Sequence, residues 1–422
     1  MKILVYPHDL AIGGSQLNAI ELAAAVQGLG HEVLVYGQPG PLVDRIQELG
    51  LEFIASPAVH RRPTPGVVAQ LHKTIRERSV DVVHAYEWPP ALEAALACAA
   101  SSRATAVATV MSMSVAPFIP RHLPLLVGTG QIAAVERDTG RTRVGLLEPH
   151  VDTVLNSAGA AVDTPGFLRG IGAEPGMFTV SIVSRLAHEM KLEGILSAIA
   201  AVEAMNRDAA VQLVIAGTGP AREEVAACAL RSNAALGVPR IFLVGELSDP
   251  RPAYASANVS IGMGASALRA MAFGLPLVVQ GENGFWGLLD EEAAPQFLWQ
   301  GWYGSGPGPG DAVQRLQGIL TRLQRNGPLR TELGRFSRRL VVERFSLERA
   351  ARLQLDFYQG LQDHPPLGGA RRLAAAGVAA WQFALHQGQQ IKAARAGGAA
   401  VDDFNSTAVL ARTPVGTAPE GH

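Results

Sequence analysis

Two cysteines, Cys98 and Cys228, are too few for a disulfide framework; both fall in alanine-rich helical patterns, where a free thiol behaves as a small apolar group. That usage fits a reducing, cytoplasmic compartment. Neither charge is in excess: 36 basic against 37 acidic residues leave a net charge of −1. Nothing global therefore steers the chain toward nucleic acid, and any basic site must be local. No apolar run reaches the length of a membrane span. The apolar start MKILVYPHDLAIGG is short, runs into a glycine turn and lacks a small-residue cleavage pattern, so it reads as a first buried strand.

Several chemical signatures are missing too. There is no Asp-x-Asp pair to hold a divalent ion against a diphosphate, and no histidine pair at helical spacing for zinc, so no metal site is expected. Neither Gly-x-Ser-x-Gly nor a Ser/His/Asp order occurs. A dinucleotide fingerprint is absent, as is an acidic residue at the end of the second strand to hold a ribose.

What is present is a repeated alternation of short apolar runs and helical patterns, in a chain of 422 residues that is 48% hydrophobic. Strands are expected over 3–6, 32–36, 52–55, 80–84, 104–110 and 125–127, with helices over 17–28, 42–49, 67–78 and 91–100. The pattern lapses in a glycine- and proline-rich connection over 151–178, with a hinge near 156–176. A second series follows, with strands over 179–183, 212–216 and 241–244 and helices over 195–204, 222–233 and 313–325. Such alternation implies parallel sheets covered on both faces, hence two Rossmann-like α/β domains, 1–160 and 161–345.

Residues 341–359 read as one long amphipathic segment in which Ser346 is a helix cap, with 346–362 as a closing helix. After a break at 364–369, an alanine-rich stretch within 363–396 carries Leu373, Trp381, Leu385 and Ile391 among basic residues. It packs on its own protein or, as the lesser alternative, makes peripheral membrane contact. Residues 397–422 are expected to be disordered.

The stretch IGMGASALRAMAFGLPLVVQG (261–281) reads as strand end, glycine turn, helix opening near Ser266 and buried strand. That order puts Gly264, Ser266 and Ala267 at a helix N-terminus on a sheet edge, where anions bind. Within VSRLAHEMKLEG (183–194), Arg185 ends a strand and Lys191 lies just inside the next turn. The pair offers bidentate hydrogen bonds and a point charge to a phosphate, or is simply a solvated basic face. Gly13 and Gly14 let backbone approach a ligand, with Ser15 or Asn18 as caps, or form a plain tight turn. Gly217 marks a turn after the strand VQLVIA, and Glu246 and Leu247 end a strand able to edge a flat heterocycle. His8 and His84 end strands in the first domain, as ligands or as satisfied structural histidines.

Taken in order, GGSQLNAIELA, DVVHAYE, VSRLAHEMKLEG, LVIAGTGPAREEV, IFLVGEL, YASANVSIGMG and ALRAMAFGLPLVV resemble the retaining GT-B glycosyltransferases of family four over about residues 1–360. The resemblance implies two Rossmann-like domains facing across a cleft, the acceptor mainly on the first, a UDP- or GDP-type sugar donor mainly on the second, and a C-terminal helix crossing back. The donor would be a co-substrate, with no resident cofactor. By position, Arg185 and Lys191 would hold the donor diphosphate, Gly13 and Gly14 would approach it, and Glu246 and Leu247 would lie along the base. The acceptor would be a small molecule or glycan.

One departure matters. The family usually carries two glutamates separated by seven residues; here those positions hold Ile261 and Arg269. Arg269 is donor-only and cannot accept a ribose hydroxyl, but it adds a cation beside the phosphates. Glu282, in GENGFW, is a candidate substitute acceptor for a hydroxyl, with Trp286 stacking on a sugar. Two further readings follow: a catalytically impaired binding or scaffold protein assisting a partner transferase, and an epimerase using His8, His84, Glu87 and Glu282.

Overall fold

The computed structural model describes residues 1–59, 62–99, 104–362 and 369–395. Most of the break expected at 364–369 and the tail expected from 397 lie outside the described residues. The chain divides into two compact units: Met1–Pro149 with the chain from Leu347, and His150–Ser346.

Unit 1 begins β1 (Lys2–Tyr6), α1 (Gly14–Gly28), β2 (Glu32–Gly37), α2 (Val43–Glu48), β3 (Glu52–Ala55) and α3 (Pro65–Glu77). It continues with β4 (Val82–Tyr86), α4 (Trp88–Ala99), β5 (Thr105–Val110), β6 (Leu125–Val127), α5 (Gly130–Asp138) and β7 (Val144–Leu146). Its seven strands are all parallel, in the order β3-β2-β1-β4-β5-β6-β7. Successive strand residues point to opposite faces. Ile3, Val5, Val33 and Val35 therefore enter one core, while Leu4, Tyr6, Leu34 and Tyr36 enter the other.

Unit 2 begins α6 (Thr164–Gly170), β8 (Phe178–Val183), α7 (Glu193–Met205), β9 (Val211–Ala216), α8 (Arg222–Leu236), β10 (Ile241–Gly245) and α9 (Arg251–Ala255). Then come β11 (Val259–Gly262), α10 (Ala265–Ala272), β12 (Leu277–Gln280), β13 (Trp286–Leu288), α11 (Ala294–Gln300), α12 (Ala312–Arg325) and α13 (Gly327–Phe345). The sheet runs β10-β9-β8-β11-β12-β13, parallel except for β13, which is antiparallel to β12.

Residues 150–177, expected to contain a hinge, are tied into unit 2. Arg338 donates to the carbonyls of Thr153 at 2.9 Å, Asn156 at 3.2 Å and Ala272 at 2.7 Å. Leu168 of α6 packs in the core with Val214. The amphipathic stretch expected as one segment is two helices. α13 ends at Phe345, Ser346 is extended (φ −67, ψ 142) and bridges to Val151, and α14 (Leu347–Gln362) follows. α14 belongs to unit 1, where Ala351, Leu355 and Tyr358 join the core that α1 covers. The alanine-rich stretch forms α15 (Gly369–Arg395), packed on α4.

In both units the strand order reverses beside the first strand of its series: between β1 and β4 in unit 1, and between β8 and β11 in unit 2. In open α/β sheets, ligands bind outside the carboxyl ends of the strands at such reversals.

Candidate active site

At the reversal in unit 2, β8 runs into a turn that carries both Arg185 and Lys191. Arg185 is exposed and its guanidinium has no hydrogen bond or ion pair among the described residues. The turn His188–Leu192 is wound as a single wide π-type turn, broken by Glu189 (φ −71, ψ 137) and by Met190 in the left-handed region (φ 63). A methionine there is strained, and such strain persists only where the surroundings over-determine it. Gln280, at the end of β12 and nearly fully buried, supplies that restraint by donating to the carbonyls of Met190 at 3.3 Å and Lys191 at 3.0 Å. Burial pushes the Lys191 ammonium down to about 8. Among the described residues no counter-ion offsets that cost, so an incoming anion would restore the charged form.

Across the reversal, β11 ends at Gly262, Met263 follows, and Gly264 turns at φ 56 and ψ −132 before α10. The Ser266 hydroxyl accepts from the Met263 amide at 3.2 Å and donates to its carbonyl at 3.0 Å, fixing the turn. Arg269, half-buried one turn into α10, has no ion-pair partner among the described residues. Its charge reaches Tyr254, lowering that phenol against the larger upward push of burial. The loop after β12 is held to α7, because Glu193 accepts from the amides of Asn283 at 3.1 Å and Gly284 at 2.5 Å.

At the reversal in unit 1 stands Glu87, which the sequence offers within DVVHAYE and as a member of the epimerase set. Glu87 is the single residue between β4 and α4, 8% exposed, with φ +67. Its carboxylate accepts from the Met111 amide at 2.9 Å, the Ser112 hydroxyl at 2.9 Å and the Ser15 hydroxyl at 3.3 Å. Burial raises its carboxyl, opposed by the Met111 amide, Ser112, the neighbouring His8 and Ser15. His8 follows β1; its Nε2 lies 3.0 Å from the Gln16 side-chain amide, and its Nδ1 is buried without a partner among the described residues. Arg62, paired with the fully buried Glu93 at 2.8 Å, also donates to the His8 carbonyl at 3.2 Å and holds this edge in place. Among the described residues, no group of three His, Cys, Asp or Glu is placed to hold a metal ion.

Residues 12–126 match the family model described as glycosyltransferase family 4, and residues 178–294 match glycosyl transferases group 1. One match falls on each unit. The chain is a glycosyltransferase of GT-B type. A glycosyltransferase from Rickettsia africae shares its fold at a TM-score of 0.67 with 15% identity, covering 86% of this chain and 98% of that one. Anabaena HepE in complex with UDP-glucose aligns at 0.64 with 15% identity over 86% of this chain and all of its own. The catalytic domain of starch synthase IV from Arabidopsis thaliana, bound to ADP and acarbose, aligns at 0.63 with 12% identity, covering 86% and 99%. A search of curated protein sequences finds no match.

In this glycosyltransferase the sequence candidates separate. Arg185, Lys191, Gly264, Ser266, Ala267 and Arg269 gather at the β8/β11 edge, although Ala267 is fully buried and offers only its backbone. Glu246 and Leu247 follow Gly245 (φ 78) on the edge strand β10, two strands away. Gly13 is the extended residue that precedes α1; neither Ser15 nor Asn18 caps the helix, because Ser15 is turned to Glu87. A Cβ on Gly13 would meet the Gln16 side chain, whereas one on Gly14 would meet nothing. Gly217 has a packing reason for being glycine: φ is +139, and a Cβ there would overlap the Ser184 carbonyl oxygen.

Two candidates are corrected. His84 is not catalytic: it is fully buried between the Tyr358 hydroxyl and Thr109 Oγ1, each at 2.5 Å, and burial pushes it down to about 3. Trp286 does not stack on a ligand, because it pairs in β13 and packs in the unit 2 core, 9% exposed. Glu282 is half-buried and accepts from the Tyr303 hydroxyl at 2.7 Å. Ile261 is fully buried in β11. A groove of about 730 Å³ lined by Gly274, Arg335 and Arg338 lies past the C-terminal end of α10, away from these edges.

Proposed function

We propose that the enzyme moves a glycosyl group from a UDP- or GDP-type sugar to a small-molecule or glycan acceptor, with retention of configuration and without a metal. As the bond from the anomeric carbon to the diphosphate oxygen breaks, negative charge accumulates on the leaving phosphate. Arg185, Lys191 and the first amides of α10 stabilise that charge, and Arg269 adds a third cation. The observation that carries this reading is the left-handed Met190 turn, held by Gln280, which presents a half-buried Lys191, with no counter-ion among the described residues, on the same loop as Arg185. Retention rests on the segment resemblance. Glu282, fixed by Tyr303, is the group proposed to read a donor hydroxyl.

Titration calorimetry with UDP and GDP tests the phosphate role. Because the Lys191 ammonium is depressed to about 8 in the free enzyme, a bound diphosphate must raise it again. Binding is therefore expected to take up no proton near pH 7, and close to one proton by about pH 9, with affinity falling over that window. Lys191→Met should abolish the uptake. Equal uptake in the variant would remove Lys191 from the phosphate site.

The strained, buried Glu87 is the proposed acceptor-side group, accepting a hydrogen bond from the incoming hydroxyl and orienting it. Glu87→Gln is expected to lower glycosyl transfer by about 100-fold while donor hydrolysis stays within severalfold. An equal fall in both rates would make Glu87 a structural residue. A second reading is favoured by Ile261, an apolar residue buried where the resemblance led to a carboxylate: the protein binds nucleotide and assists a partner transferase without turnover. Nucleotide binding with no product from any donor would support it.

A further inference from the structure

α15 has two faces of opposite character. One packs on unit 1: Ala376, Ala379 and Phe383 are buried, and Phe383 lies 4.9 Å from Trp88 and 5.1 Å from Phe118, ring to ring. The other presents Val378, Trp381 and Leu385, which are 57%, 66% and 51% exposed. At spacings of three and four residues these three side chains form one stripe along the helix. Single exposed apolar residues need no explanation, but an aligned stripe centred on a tryptophan does.

The charge around the stripe identifies what covers it. The sequence of α15, from Gly369 to Arg395, contains no Asp or Glu, and its basic residues lie at the two ends. Arg371 and Lys392 are both exposed and continue the line of the stripe, seven residues on either side of Val378 and Leu385. Beside the helix, a groove of about 660 Å³ is lined by Val378, Leu385 and the loop that carries the exposed Arg121 and the half-buried His122; that loop is also free of acidic residues. Apolar centre, interfacial tryptophan and basic ends complement a surface that is apolar beneath an anionic layer. Among the described residues, no helix is long and apolar enough to cross a membrane, so the contact is peripheral.

We propose that the Val378–Trp381–Leu385 face of α15 docks this enzyme on an anionic phospholipid bilayer, with the helix lying in the plane of the interface. The apolar residues enter the acyl boundary, while Arg371, Lys392 and Arg121 reach the headgroups.

The test is flotation of the full chain with vesicles of phosphatidylcholine alone or mixed with phosphatidylglycerol. Binding is expected only to the mixed vesicles and should fall with added salt. Trp381→Ser with Leu385→Ser, both on the solvent side, should weaken partitioning by about tenfold or more. Arg371→Gln with Lys392→Gln should weaken it by about tenfold as well. Donor hydrolysis by these variants should be unchanged, which shows that the fold is intact. Absence of binding to mixed vesicles, or binding indifferent to both pairs of substitutions, overturns the proposal. Sedimentation as a dimer that Trp381→Ser dissociates also overturns it, assigning the stripe to a second copy of the chain.

Discussion

Replacing Arg185 or Lys191 with alanine is expected to lower donor turnover by about 100-fold or more, because each removes a fixed charge that stabilises the further negative charge developing on the leaving diphosphate. The two losses should not simply multiply, since both cations act on one diphosphate and either can partly cover for the other. The two substitutions should also differ in kind. Arg185 is exposed and unpaired among the described residues, so its loss costs little stability. Lys191 is half-buried, and its charge is unfavourable without an anion, so Lys191→Ala is expected to leave stability unchanged or slightly raised. Steady-state release of nucleoside diphosphate, with denaturant midpoints as a control, checks both statements. Unchanged turnover in both variants would remove the phosphate role from this loop.

Gly217→Ala is expected to destabilise unit 2 by about 2–5 kcal/mol, combining left-handed strain with steric overlap. The glycine sits at φ +139, and its Cα faces the Ser184 carbonyl. Its amide donates to the Gly245 carbonyl at 2.7 Å, so the β9 loop has no room to withdraw. The same contact seats the turn that leads to Arg185, so lost stability and lost nucleotide binding should appear together. Gly14→Ala is the contrast, because a Cβ there meets no atom within 4 Å. Its stability should stay within about 0.5 kcal/mol of the parent. Chemical denaturation followed by tryptophan fluorescence reads unit 2 well, since Trp286 and Trp302 are buried there. A Gly217→Ala protein as stable as the parent would show that the loop relaxes freely.

The alternating strands and helices were legible because a parallel sheet covered on both faces requires apolar runs at regular intervals, and the runs at 3–6 and 32–36 fall within β1 and β2. Arg185 and Lys191 were legible because they lie six positions apart in one loop. The rest depended on contacts that local pattern does not encode. His84 ends a run like any other strand residue, and what disqualifies it is the Tyr358 hydroxyl, 274 residues away. Trp286 reads as a loop aromatic until β13 pairs antiparallel with β12 and turns it into the core. Glu87 acquires its character from Ser15 in the first turn of α1 and from Met111 and Ser112 in the loop after β5, which the sheet brings together. A local signal for it did exist: an acidic residue directly between a buried strand and the helix-opening Trp88–Pro89–Pro90. Ser346 separates α13 from α14 by adopting extended backbone, and it pairs with Val151, a partner far away in sequence.

The most direct measurement is a turnover screen of the full chain against UDP- and GDP-sugars with a panel of acceptors. Nucleoside diphosphate release would be followed, and the product's anomeric configuration read by NMR. Release from at least one donor is expected, with a product that keeps the donor's configuration. Tight nucleotide binding with no release from any donor, or a product of inverted configuration, would contradict that.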